Sequence, residues 1–240
     1  MVEMLHTTSP HPGEIHRSHR ANWLRAAVLG VDDGIVSTSS IMLGLTAANV
    51  DYKIILATGI AALVAGAFSM AAGEYVSVAS QKDAQRADIE IERRALKNNP
   101  EGELNELATI YVSRGLEPHL AKEVAIQLQK KNAVDAHTRD ELGINKRMKV
   151  NPFQAATTSA LAFAVGSLVP ILTAIAVNNS GGHSATVIVV VSLIALAISG
   201  LVGAFIGGGN RLVAALRVLV GGGVAMAVTY FIGHLVGATL

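Results

Sequence analysis

The stretch GAFSMAAGEYVSVASQKDAQRADIEIERRALKNNP, residues 66–100, decides the fold. Up to Ser80 its only charge is Glu74, whereas nine of the last twenty positions are charged. No helix breaker intervenes before Asn98-Asn99-Pro100, so one helix leaves an apolar environment and continues into water. The whole chain repeats this division. Residues 81–149 hold 25 of the 37 Asp, Glu, Lys and Arg, and residues 150–240 hold only Arg211 and Arg217.

A bilayer's hydrocarbon core needs about 20 apolar residues per helical crossing. Five runs qualify: 24–48, 54–80, 153–177, 184–207 and 212–238. The expected fold is therefore all-α, with five transmembrane helices and a helical cytosolic insert between the second and third. The expected divisions are a polar, His-containing tail at 1–20, transmembrane helices 1 and 2 at 21–80, the insert at 81–150, and helices 3 to 5 at 151–240.

Orientation follows from the basic residues. Arg17, Arg20 and Arg25 precede the first span, thirteen Lys and Arg lie between spans 2 and 3, and Arg211 and Arg217 open span 5, with Lys53 alone opposite. The positive-inside rule then puts the N-terminus and the insert in the cytosol. The opening residues lack the apolar core of a signal peptide. Without cysteine, disulfides and thiolate metal sites are excluded. Acids alternate with the insert's bases, which excludes a nucleic-acid surface.

Small residues indicate close helix packing in lipid: Gly59, Gly66 and Gly73 fall on one stripe, and Gly30 and Gly34 are one turn apart. Pro170 is expected to kink span 3. Gly207-Gly208-Gly209-Asn210 reads as a tight turn, and residues 178–182 as the loop between spans 3 and 4.

Within the insert, helices are expected over 101–113, from Pro118, and over about 134–142. Asp88 and Glu92, Glu103 and Glu106, and His137 and Glu141 each share a helix face. Three such pairs facing one another would surround a divalent cation with carboxylate oxygen and imidazole nitrogen, which suits Fe(II), Mn(II) or Zn(II) better than Cu(I). The plain alternative is solvated helix surface. His6, His11, His16 and His19 read as a tail with weak, incidental metal affinity.

Inside the membrane, an acid is costly by about 2.5–3.5 kcal/mol at mid-depth and usually functional. Asp32 and Asp33 lie in span 1, and Met70 and Glu74 are one turn apart on span 2. If the short turn at 49–53 makes these spans antiparallel neighbours, Asp33 reaches the depth of Met70 and Glu74. The competing reading has Asp33 capping a broken helix and Glu74 at the interface.

The segments RAAVLGVDDGIVSTSSIMLGL, GAFSMAAGEYVSVASQKD and NPFQAATTSALAFAVGSLVPIL resemble the vacuolar iron transporter family, whose bacterial members have this length. The resemblance implies a homodimer with its pathway at or near the subunit interface, and cation/proton antiport moving Fe(II), in some members Mn(II), out of the cytosol. It assigns pathway roles to Asp33, Met70 and Glu74 and metal ligation to Glu92, Glu103, Glu106 and Glu141. Ala95 and His137 stand where plant members supply glutamate and methionine, and Asp32 replaces a common asparagine.

The expected activity is export of Fe2+ or Mn2+ by proton antiport, with Zn2+ and Co2+ as further candidate substrates and no permanently bound cofactor. The implied location is a bacterial plasma membrane. A hydrolase is disfavoured because adjacent Asp32 and Asp33 point about 100° apart on a helix. A membrane-tethered metal sensor without transport remains the alternative, and it leaves the polar groups of span 1 unexplained.

Overall fold

The computed structural model describes residues 21–144, 151–177 and 184–239, all helical apart from short connections. The expected His-containing tail, and the loop at 178–182 apart from its flanking helix ends, lie outside the described residues. Seven helices follow in order: α1 Ala21–Ala47, α2 Tyr52–Asn98, α3 Pro100–Ser113, α4 Pro118–Asp140, α5 Pro152–Val177, α6 Ser184–Gly207 and α7 Arg211–Thr239. Five of them, α1, α2, α5, α6 and α7, are long and apolar enough to cross a membrane. The 47 residues of α2 extend about 70 Å at 1.5 Å per residue, more than twice a hydrocarbon core.

The chain forms two compact units, one of residues 1–74 with 153–240 and the other of residues 75–152. In the first, α1 is the least apolar of the five long helices and also the most enclosed. It packs against α6 and α7 and contributes Ile35, Met42 and Leu43 to the core with Ile171, Ile188, Leu196 and Met226. A polar-flecked helix is tolerated there because neighbours satisfy its hydroxyls. Thr38 Oγ1 donates to Ser167 Oγ at 2.9 Å, and Ser167 Oγ donates to the Gly34 carbonyl at 3.3 Å, tying α1 to α5.

Gly34 permits that approach. A Cβ there would collide with the Phe163 carbonyl and lie 2.9 Å from the Ser167 nitrogen. Of the Gly59, Gly66 and Gly73 stripe, the first abuts Met42 and the second the Phe163 ring, but Gly73 faces open space. α5 continues through Pro170 to Val177.

Connections follow their residues. Asn49 adopts φ 57°, a left-handed conformation asparagine tolerates, and Asp51 caps α2 by accepting from the Lys53 amide at 2.8 Å. Gly208, at φ 81°, ends α6 with its amide on the Ala204 carbonyl at 2.8 Å. Asn210 Oδ1 then caps α7, accepting from Leu212 and Val213 at 3.1 and 3.2 Å.

In the second unit, Asn99 Oδ1 caps α3 through the Gly102 amide, and Leu107, Ala108, Ala125 and Ala136 form its core. The separate helices expected from Pro118 and near 134 form one element broken at Asn132, whose backbone is extended. Its side chain accepts from the Asp135 amide at 3.0 Å and restarts the helix.

Candidate metal and ion sites

Antiparallel pairing of α1 and α2 fixes which residues meet. Asp33, Ser37 and Ile41 on α1 are spaced by four, as are Ala62, Gly66 and Met70 on α2. All six line one cavity of about 390 Å³, with Phe163 of α5 against it. Asp33 and Met70 therefore share a cavity, and the Asp33 side is open in a single chain. Ser37 donates to the Asp33 carbonyl at 2.6 Å.

Glu74 does not line this cavity. It is half-buried, one turn beyond Met70, and faces the Arg25 guanidinium at 3.9 Å. Asp32 points the other way, as adjacent helical positions must, and hydrogen-bonds Ser199 of α6. Its Oδ1 is buried without a partner.

The second site is assembled wholly by α2, α3 and the end of α4 within the charged unit. Glu92, Glu103, His137 and Glu141 each present one ligand atom, all within 4.8 Å of one another. His137 is fully buried, and its Nδ1 lies 2.9 Å from Glu92, 3.8 Å from Glu103 and 3.2 Å from Glu141. One ring nitrogen cannot serve three carboxylates. Nδ1 hydrogen-bonds Glu141 Oε2 at 3.2 Å, and the buried Glu92 Oε1, ion-paired with the same nitrogen at 2.9 Å, has no hydrogen bond of its own.

Burial first, then the charges of Glu141, Glu103 and Glu106, push the Glu92 carboxyl from 4.5 to about 7, against the opposing pull of His137. This is the electrostatic signature of a site built for a positive charge. Oxygen ligands on opposite sides of an ion at about 2.1 Å stand about 4.2 Å apart, so a slight contraction of the four atoms encloses a divalent cation.

Two expected ligands are not brought into this set. Asp88 is exposed and is not among the four residues whose ligand atoms converge. Glu106 is likewise exposed, one turn from Glu103, and acts on Glu92 through its charge alone.

Sequence reasoning missed the parts that hold the ligands. Gln129 Nε2 lies 3.2 Å from His137 Nε2 and engages the ring's far side. Asp140 accepts from Arg114 Nη1 at 2.8 Å, Tyr111 Oη at 2.8 Å and Arg139 Nη2 at 2.7 Å, pinning α4 to α3 beside Glu141. Burial would raise the Asp140 carboxyl, but these donors hold it at about 2. Gln129 is separated from His137 by the break at Asn132, so helical spacing gives no sign of it.

Together these features define a multi-pass helical membrane protein that carries a carboxylate–imidazole cluster in a separate, charged unit. Residues 24–234 match the VIT family, and the chain belongs to that family. It is 48% identical over 225 residues to a vacuolar iron transporter of Acanthamoeba castellanii, covering 93% of this chain and 83% of that one. It is 35% identical to vacuolar iron transporter homolog 2.1 of Arabidopsis thaliana, over 94% of this chain and 86% of the relative. VIT-like transporter 1b of Glycine max is 38% identical, over 97% and 84% respectively. Membership places the protein among membrane metal transporters rather than enzymes.

Proposed function

We propose that this protein moves Fe(II) or Mn(II) out of the cytosol in exchange for protons, working as a homodimer. The observation that carries the reading is the buried Glu92 carboxylate, whose Oε1 has only the shared His137 Nδ1 beside it, at 2.9 Å, and which is set among two further carboxylates. Such a group is costly when charged and is satisfied by either a cation or a proton.

The residues 75–152 collect metal on the cytosolic side through Glu92, Glu103, His137 and Glu141. The ion then passes to Asp33 and Met70, with Glu74 one turn away and held by Arg25 until needed. The open side of the Asp33 cavity suits closure by a second copy of the chain. A carboxylate in apolar surroundings is neutralised by metal or proton in turn, so loading one releases the other. Asp32, on the opposite face beside Ser199, belongs to proton movement.

The names of the relatives favour iron as substrate. His137 adds a nitrogen ligand, which extends the acceptable ions to Zn(II) and Co(II). Outward movement across a bacterial plasma membrane and loading of a vacuole are the same vectorial step. The relatives' names favour the latter, and imaging of the tagged full-length chain decides. A sensor without transport is disfavoured by the family and by the intramembrane carboxylates.

The test is uptake of Fe(II), Mn(II), Zn(II) or Co(II) into proteoliposomes with an imposed pH gradient. Wild-type flux should follow the gradient, and Asp33→Ala should reduce it to that of protein-free vesicles. Flux indifferent to both would refute the proposal.

A further inference from the structure

The first unit holds a second polar feature, at the Arg25 end of α1. Arg25 of α1 and Arg217 of α7 line one cavity of about 550 Å³, whose remaining walls are small or aliphatic, among them Val28, Gly203, Gly207 and Val218. That size lies within the range of small-molecule sites. Gly203 of α6 lets this wall lie close to α1, since a Cβ there would stand 3.1 Å from Val28.

The charges around this cavity do not balance. Arg217 has no carboxylate partner among the described residues, and Arg25 has only Glu74, at 3.9 Å. Arg211 is occupied elsewhere, its guanidinium 4.8 Å from the Phe205 ring. Arg217 also lies six residues past Arg211, about 9 Å further along the helix, where an unpaired cation is costly in lipid. The ends of α1, α6 and α7 that form the cavity are those where basic residues cluster, so an anion arriving from the membrane surface reaches it.

We propose that this cavity binds an anionic phospholipid, its phosphodiester held by Arg25 and Arg217 and its upper acyl segments lying on the aliphatic walls. Guanidinium forks match phosphate oxygens in pairs, and basic pockets between membrane helices suit acidic headgroups. A free anion would use the arginines and leave the apolar wall bare, whereas a lipid uses both. The occupied site links α1, which carries Asp33, to α6 and α7.

Native mass spectrometry of the purified full-length chain, exposed to phosphatidylglycerol or phosphatidylcholine, tests this directly. Phosphatidylglycerol should be retained preferentially. Arg217→Gln and Arg25→Gln should each weaken retention about five-fold, the worth of one surface arginine, and Arg211→Gln should leave it unchanged. Should Arg217→Gln fail to fold, Arg217→Lys keeps the charge without the fork and should retain lipid at an intermediate level. Equal retention of both lipids, undiminished retention in the Arg217 variants, or displacement of the lipid by inorganic phosphate would overturn the proposal.

Discussion

The membrane unit and the charged unit both place carboxylates where water is scarce, but they do so by different means. In the first, Asp33 stands on an open cavity walled by Met70, Ser37 and Phe163, and one acid is set against a single facing helix. In the second, three acids and a histidine from three helices crowd within 4.8 Å, and burial with mutual repulsion defines the site. The contrast suits the two proposed tasks: a sparse site to let an ion go, and a dense one to gather it.

Separating the two is the sharpest way to break this comparison. Asp33→Ala should abolish gradient-driven flux and leave metal binding by the 75–152 unit intact, measured by calorimetry on the same full-length protein. Glu92→Gln should do the reverse at equilibrium, weakening that binding by about 10- to 100-fold. Loss of calorimetric binding in the Asp33 variant would mean that the two units do not act separately.

The pH response should differ in sign from that of an ordinary ion-paired acid. Glu92 in the fold has its carboxyl raised from 4.5 to about 7, so between those values the folded state holds more protons than the unfolded one. Stability of the metal-free protein should therefore fall as pH rises through this window, by up to about 3 kcal/mol. Metal should reverse the trend, because binding strengthens as the proton leaves. Denaturation at pH 5 and pH 7.5, with and without Mn(II), reads both signs, and a metal-free protein more stable at the higher pH would contradict the assignment.

Packing provides a comparison within the bundle. Gly34→Ala drives a Cβ into the α5 backbone and should cost about 1–3 kcal/mol, whereas Gly73→Ala, which meets nothing within 4 Å, should be neutral in a thermal melt. Asp140→Asn should cost about 1–2 kcal/mol from weakened charge-assisted hydrogen bonds. Because the Asp140 carboxyl is held near 2, its contribution is present above about pH 4 and is lost as pH falls through 2. A difference between wild type and variant that persisted at pH 2 would assign it to something else.

Much of this was legible before any coordinates. The five apolar runs match α1, α2, α5, α6 and α7 to within a few residues at most boundaries, because hydropathy and breakers act locally. The second run differs: its helix continues to Asn98, past the apolar residues, since nothing before Asn99 and Pro100 stops it. Asp33 and Met70 were paired by a turn length and an antiparallel register, both readable from a line of text. Glu92, Glu103, His137 and Glu141 were candidates by helical spacing, and the three acids also by the family resemblance. The same spacing also nominated Asp88 and Glu106, since a shared face does not say which turn the neighbouring helix covers.

The sequence by itself therefore determined the helices, their apolar or charged character and the residue types able to hold a divalent cation. Only the tertiary structure decided that Glu74 turns to Arg25, that Asp32 lies beside Ser199, and that Gln129, Arg114 and Tyr111 support the candidate metal ligands. The physical reason is range. Propensity and periodicity are set by residues a few positions apart, whereas a carboxylate's partner is whichever group a distant helix delivers within about 3–4 Å, and that is fixed only when the whole core packs.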